Sequence, residues 1–171
     1  QPCRWGGFSL VEASLRLIEA AHADDCDWLV LLSGQDYPLQ SNADIAARLA
    51  NCGQAGFIDL RDPASFNVRY RHEAYHLEKF NGKRVGKLLQ KLQRGLNRFG
   101  LRRALPAPLT EIRAGSQWWI LSAEAGRWLL DFCRREPQVI AFFRRTLVPD
   151  EMFFQTLLWH SPLRNRLCAD P

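Results

Sequence analysis

Pro149-Asp150-Glu151 places two adjacent carboxylates at the head of the apolar stretch EMFFQTLLWH. Proline fits the first turn of a helix, where its missing amide hydrogen costs nothing. Acids in that turn complement the helix dipole, at about 0.3–1 kcal/mol each. The same placement suits proton transfer, because a carboxylate held beside a cleft can take the proton of an attacking hydroxyl. The residues by themselves leave both roles open for Glu151. Asp25-Cys26-Asp27 spells a DxD, a metal-binding pattern, yet it precedes the best strand candidate, whereas a ligand-facing site should follow one. It reads as a helix-to-strand turn. Asp36 does follow that strand, but it stands alone, and one carboxylate is a weak metal site. His160 lies near the end of the last helix, where a cation suits the dipole. Cysteines at 3, 26, 52, 133 and 168 form no CxxC pair and no zinc spacing. No P-loop and no GxGxxG is present.

These groups need a frame. Trp28-Leu29-Val30-Leu31-Leu32 is a short apolar run between Asp27 and Ser33-Gly34. It predicts a strand buried on both faces, as in a parallel sheet under helices. The chain turns polar at once through Ser33, Gly34, Gln35 and Asp36, and Pro38 prevents a return to the strand. A polar loop at the carboxyl end of such a strand is where open α/β sheets hold ligands. Ser9 with Glu12 predicts a capping box and a helix to about His22, with Leu10, Ala13, Leu17, Ala20 and Ala21 near one face. Ser41 or Asn42 caps a second helix over Ala43 to Ala50. Phe57 to Leu60 and Ser116 to Leu121 read as further strands. Ser122 caps a helix over Ala123 to Arg135, and Pro137 opens a shorter one. The alternation predicts a single α/β domain over residues 1–171.

The net charge of +5 suits an anionic ligand. Six tryptophans are many for this size, and they serve either the core or a groove. The scattered cysteines read as reduced, buried thiols. No run is long enough to span a bilayer and no signal peptide is visible. A start at Gln1 suggests an excised piece of a longer protein, truncated at both ends. From Lys83 to Arg103 the chain is strongly basic and contains no acid. Val85, Leu88, Leu89, Leu92, Leu96 and Phe99 recur there at helical spacing beneath Lys87, Lys91, Arg94 and Arg98. Such a basic amphipathic helix suits an anionic membrane or a polyanion, or it packs on the domain with a solvated basic face. Aromatics for base stacking are sparse in it, so nucleic acid is not expected.

Three stretches in order resemble the core-2/I-branching glycosyltransferase family. They are WGGFSLVEASLRLIEAA, WLVLLSGQDYPLQS, and GSQWWILS followed by FFRRTLVPDEMFFQTLLWHSP. This family includes β-1,6-N-acetylglucosaminyltransferases and peptide O-xylosyltransferases. The resemblance spans most of the chain and is weakest over the basic helical insertion, 79–110. It implies a GT-A-type domain with a central, mostly parallel sheet flanked by helices. It implies inverting transfer of GlcNAc or xylose from a UDP-sugar to a hydroxyl of a glycan or protein. In the N-acetylglucosaminyltransferase branch the base matches Glu151. In the xylosyltransferase branch the position of Gln117 is an Asp with a catalytic role, and Gln cannot act as a base, so the donor sugar stays open. The branching enzymes are metal-independent, so neither a metal nor another cofactor is expected.

By position in the resemblance, Ser33, Gln35 and Asp36 face the donor. Trp118 and Trp119 form a wall for a sugar ring, with Gln117 beside them. Arg69, Arg71 and Glu73 fall where branching enzymes contact the acceptor. The rival expectation is a non-catalytic carbohydrate- or polyanion-binding module on the same fold. The Ala- and Arg-rich composition points to a bacterial member, in the cytoplasm or peripherally on a membrane through Lys83–Arg103. A Golgi lumen would apply only to a eukaryotic one.

Overall fold

The computed structural model describes residues 3–62, 68–76 and 84–168. Four strands form one mixed sheet in the order β1-β3-β2-β4: β1 is Trp28–Val30, β2 Gly56–Ile58, β3 Trp119–Ser122 and β4 Leu167–Cys168. β3 runs antiparallel to both neighbours, while β2 and β4 pair in parallel. β1, β2 and β4 thus run one way and β3 alone runs the other, so the expected mostly parallel sheet is a mixed one. A short apolar run has the same composition whichever way it runs, so strand direction is not written in it. The helices are α1 (Ser9–Ala23), α2 (Asn42–Ala50), α3 (Arg69–His72), α4 (Arg84–Arg98), α5 (Ala123–Arg135), α6 (Pro137–Phe143) and α7 (Phe153–Trp159). Lys83 and residues 79–82, the expected start of the basic segment, lie outside the described residues.

The two faces of the sheet differ. Leu29, Leu121, Ile58 and Trp119 are buried and join one core cluster with Ile18, Leu129, Phe153, Phe154 and Leu157. The alternate residues Trp28, Val30, Phe57 and Ile120 are only partly covered. Clefts of about 840 and 670 Å3 separate this second face from α2. β1 is therefore an alternating edge strand, and its expected burial on both faces is corrected: Val30 is 43% exposed. An edge strand with one covered face needs apolar residues on that face alone.

α1 meets the core through Val11 and Ile18, with Leu15 packed alongside, while Leu17 points outward. The face expected from Leu10, Ala13 and Leu17 is thus rotated. The capping box is also corrected. Ser9 lies inside α1, and its Oγ accepts the amide of Arg4 at 2.9 Å. Glu12 reaches Arg144 instead, at 2.6 Å. The turn through Gly6, at φ 71°, brings Arg4 back over Ser9. Ser122 does cap α5 as expected, accepting the amide of Ala125 at 3.3 Å. Gly126 lets α5 cross closely over β1 and α1. A Cβ there would stand 2.8 Å from Leu29 and 2.9 Å from His22. Cys3 is exposed and the other four cysteines are half-buried, so they are less hidden than expected. Among the described residues, no helix is long and apolar enough to cross a membrane.

Candidate active site

β1 and β2 share β3 as an antiparallel partner, so they run the same way and end at the same edge of the sheet. β3 begins at that edge. The three loops there enclose an open cleft of about 410 Å3, lined by Asp36, Asp59, Ser116 and Trp118 over a floor that includes Phe57 and Ile120. Asp36 closes a turn on itself: its carboxylate accepts the amide of Ser33 at 2.6 Å, and its own amide reaches the Ser33 carbonyl at 3.2 Å. The Ser33 hydroxyl accepts the amide of Gln35 at 3.1 Å. Of these three predicted donor contacts, Asp36 lines the cleft, while Ser33 and Gln35 build the turn behind it.

Trp118 is 40% exposed at the cleft mouth, whereas Trp119 is 5% exposed and packs on Phe154 with ring centroids 5.4 Å apart. Both residues line the cleft, but only Trp118 presents an exposed ring, because successive residues entering a strand turn to opposite faces. Gln117 is half-buried between Ser116 and Trp118 and does not line the cleft.

Asp59 was not among the expected site residues. Its carboxylate accepts the Ser116 amide at 3.1 Å and the Arg61 Nε at 2.8 Å. The signal for it was the one used for Asp36, a carboxylate just past a strand. Gly115 makes this junction possible, since a Cβ there would stand 1.9 Å from the Asp59 carbonyl oxygen.

Gly115 also joins the cleft wall to Glu151. Its amide donates to the Glu151 carbonyl at 2.9 Å. Gln155, fully buried on α7, donates to the Ser116 carbonyl at 2.5 Å. Glu151 thus sits directly behind the Gly115–Ser116 wall, though it is not itself a lining residue of the cleft. Its side chain is 33% exposed and its Oε2 accepts from Arg71 Nη1 at 2.6 Å. Arg71 Nε also donates to the Tyr70 hydroxyl at 3.1 Å. Burial lowers the Arg71 pKa, but the bonds to Tyr70 and Glu151 more than offset it and raise the value overall.

Glu151 is not in the first turn of α7, as expected from sequence. Pro149–Glu151 form a separate 3-10 turn, and Met152 breaks the path with φ −138°. Val148, just before it, adopts φ 50°. That conformation costs a branched residue roughly 1–3 kcal/mol. The Val148 amide is held by the Gly6 carbonyl at 3.1 Å, and the Leu147 amide by Arg71 at 3.0 Å. Asp150 turns inward. Burial pushes its carboxyl pKa up, and its Oδ1 has no hydrogen-bond partner among the described residues.

The remaining candidates are dispersed. Arg69 is exposed, and Glu73 pairs with Arg102 at 3.3 Å. His160 Nε2 accepts the amide of Thr110 at 3.0 Å, so the proton sits on Nδ1, which donates to the Thr156 carbonyl at 2.8 Å. That neutral tautomer is a structural brace between two loops. Asp25 occupies a left-handed turn at φ 53° between α1 and β1. Among the described residues, no three His, Cys, Asp or Glu side chains converge as metal ligands would.

The family model for the Core-2/I-Branching enzyme matches residues 1–170. The chain belongs to the core-2/I-branching enzyme family. Family membership places its mixed sheet in the GT-A class. Similar curated proteins include xylosyltransferase 2 of Rattus norvegicus, 27% identical over 165 residues, which covers 92% of this chain and 17% of that protein. Xylosyltransferase 1 of Rattus norvegicus is 27% identical over 167 residues, or 92% of this chain and 18% of that protein. Xylosyltransferase 2 of Canis lupus familiaris is 26% identical over 164 residues, covering 92% and 17%. The chain therefore spans less than a fifth of the length of these relatives. Its kinship to these xylosyltransferases is distant in identity but continuous along the chain.

Proposed function

We propose that this core-2/I-branching chain carries the acceptor-activating side of an inverting, UDP-sugar-dependent glycosyltransferase, with Glu151 as general base and no metal in the reaction. The observation that carries the reading is the Arg71–Glu151 pair behind the Gly115–Ser116 wall. Arg71 holds one carboxylate oxygen at 2.6 Å. Oε1 has no hydrogen-bond partner among the described residues, and so is available to a hydroxyl. The acceptor O–H gives its proton to Glu151 while its oxygen forms a bond to the anomeric carbon. The bond from that carbon to the diphosphate oxygen breaks, and UDP leaves with the electron pair. Trp118 offers its exposed ring to a sugar, and Asp36 and Asp59 offer carboxylate acceptors to sugar hydroxyls. Basic side chains would stabilise the departing diphosphate.

The similar proteins are named xylosyltransferases, which favours UDP-xylose. Gln117, at the position where the resemblance implies an Asp in that branch, favours the UDP-GlcNAc alternative. The acceptor is a hydroxyl of a glycan or of a protein. The test is a panel of UDP-sugars offered to the full-length protein with simple glycan and peptide acceptors, in EDTA, with UDP release as readout. Acceptor-stimulated release from one donor supports the reading and names the sugar. UDP binding without release from any donor contradicts it and leaves a binding module on the same fold.

A further inference from the structure

We infer that α4 is a membrane-docking helix, which lies on an anionic lipid surface with its apolar face down. The helix covers Arg84–Arg98, a length of about 22 Å at 1.5 Å per residue. At 3.6 residues per turn, Val85, Leu88, Leu89, Leu92 and Leu96 fall within an arc of about 100°, and Phe99 continues it past the end. All six are exposed, from 41% at Leu89 to 85% at Phe99. Arg84, Lys87, Lys91 and Arg98 fall on a flanking arc centred about 120° away and are exposed as well. The half-buried positions lie between those arcs or at their margin, at Gly86, Gln93, Gly95 and Asn97. The helix therefore half-buries its amide positions Gln93 and Asn97 and leaves its leucines in water. A helix that packs on its own domain does the reverse.

The charge selects the occupant. No acid occurs between Glu78 and Glu111. A second copy of α4 would bring cations against cations. An anionic bilayer answers both faces: its interfacial apolar layer takes the leucines, and its headgroups attract the lysines and arginines that reach around the helix. The helix is also firmly mounted at one end. Gly100, at φ 80°, ends it, and the Leu101 amide returns to the Leu96 carbonyl at 3.2 Å. Arg103 then donates to the carbonyls of Phe142 at 2.7 Å and Arg145 at 2.8 Å. Its guanidinium lies 4.1 Å from the Phe142 ring and 4.6 Å from that of Tyr75. Docking at α4 would thus be transmitted to the body of the domain.

The test is co-sedimentation of the full-length protein with vesicles of phosphatidylcholine alone and of phosphatidylcholine mixed equally with phosphatidylglycerol. Binding should be at least roughly tenfold tighter on the mixed vesicles. Leu88→Glu with Leu92→Glu should weaken it by at least roughly tenfold. Lys87→Gln with Lys91→Gln should remove most of the preference for anionic lipid. All four positions are exposed, so the urea midpoint of each variant should match the parent. Equal binding to both vesicle types, no binding to either, or full binding by the leucine variant would overturn the inference. So would self-association in sedimentation that the leucine variant abolishes, since that would assign the stripe to a second copy.

Discussion

The two carboxylates at the ends of the candidate site are held in opposite ways. Asp36 sits on an exposed turn that the chain closes with its own amides. Glu151 rests against α7, whose residues Phe153 to Leu158 are all buried, and it is fixed through Gly115, Arg71 and the strained Val148. A turn that satisfies itself needs nothing around it and adapts easily. A carboxylate on a backbone fixed by packing, and held by one ion pair, keeps its aim, which is what a general base requires. The rigid side is assigned the proton transfer and the adaptable side the contact with donor hydroxyls.

The contrast should appear first in stability. Phe153→Ala, in a ring cluster with Phe8, Phe143 and Phe154, should cost about 3–5 kcal/mol. Leu39→Ala, at 93% exposure, should stay within about 0.5 kcal/mol. Urea unfolding of both decides it, and similar losses would erase the distinction between the two sides. Next comes Arg71→Ala, which should lower kcat roughly tenfold to a hundredfold, with donor KM little changed and Arg71→Lys recovering part of the loss. A change confined to donor KM would move Arg71 out of the base's surroundings.

Asp150 sharpens the comparison through pH. Burial raises its folded-state pKa above the ordinary 3.8. The native state then carries a charge penalty that is complete above the raised value. The penalty shrinks as pH falls through that value and is gone below 3.8. Asp150→Asn should therefore melt above the parent at neutral pH, with the gap closing on acidification. A gap that is independent of pH would show that the charge is not the cause. The smallest effect is expected at the exposed turn. Asp36→Asn keeps an acceptor for the Ser33 amide and should change donor KM by only about threefold. A loss as large as that of Arg71→Ala would mean that the turn is no mere contact.

Much of this arrangement is legible in the residues, and what is not has identifiable causes. Ser122 and Ser41 announce their helices because a cap is a local interaction between neighbours in sequence. Ser9 offers the same signal and misleads, because the Gly6 turn supplies Arg4 as a competing donor. The apolar stripes of α4 and α5 look alike in sequence, yet α5 buries Ala125, Leu129 and Phe132 while α4 leaves its stripe exposed. Periodicity reveals a face but not what covers it. The pairing of Glu151 with Arg71 spans 80 positions of sequence, and no spacing rule reaches that far. Asp59 was within reach of the strand-end rule, but placing the end of β2 at Leu60 hid it inside the strand.

The most direct measurement compares the parent with Glu151→Gln in acceptor-stimulated UDP release, alongside UDP affinity by calorimetry. Loss of the general base should cut release by roughly 10²- to 10⁴-fold, with UDP affinity unchanged. Release at the parental rate by Glu151→Gln, with UDP still bound, would contradict the account and place the base elsewhere.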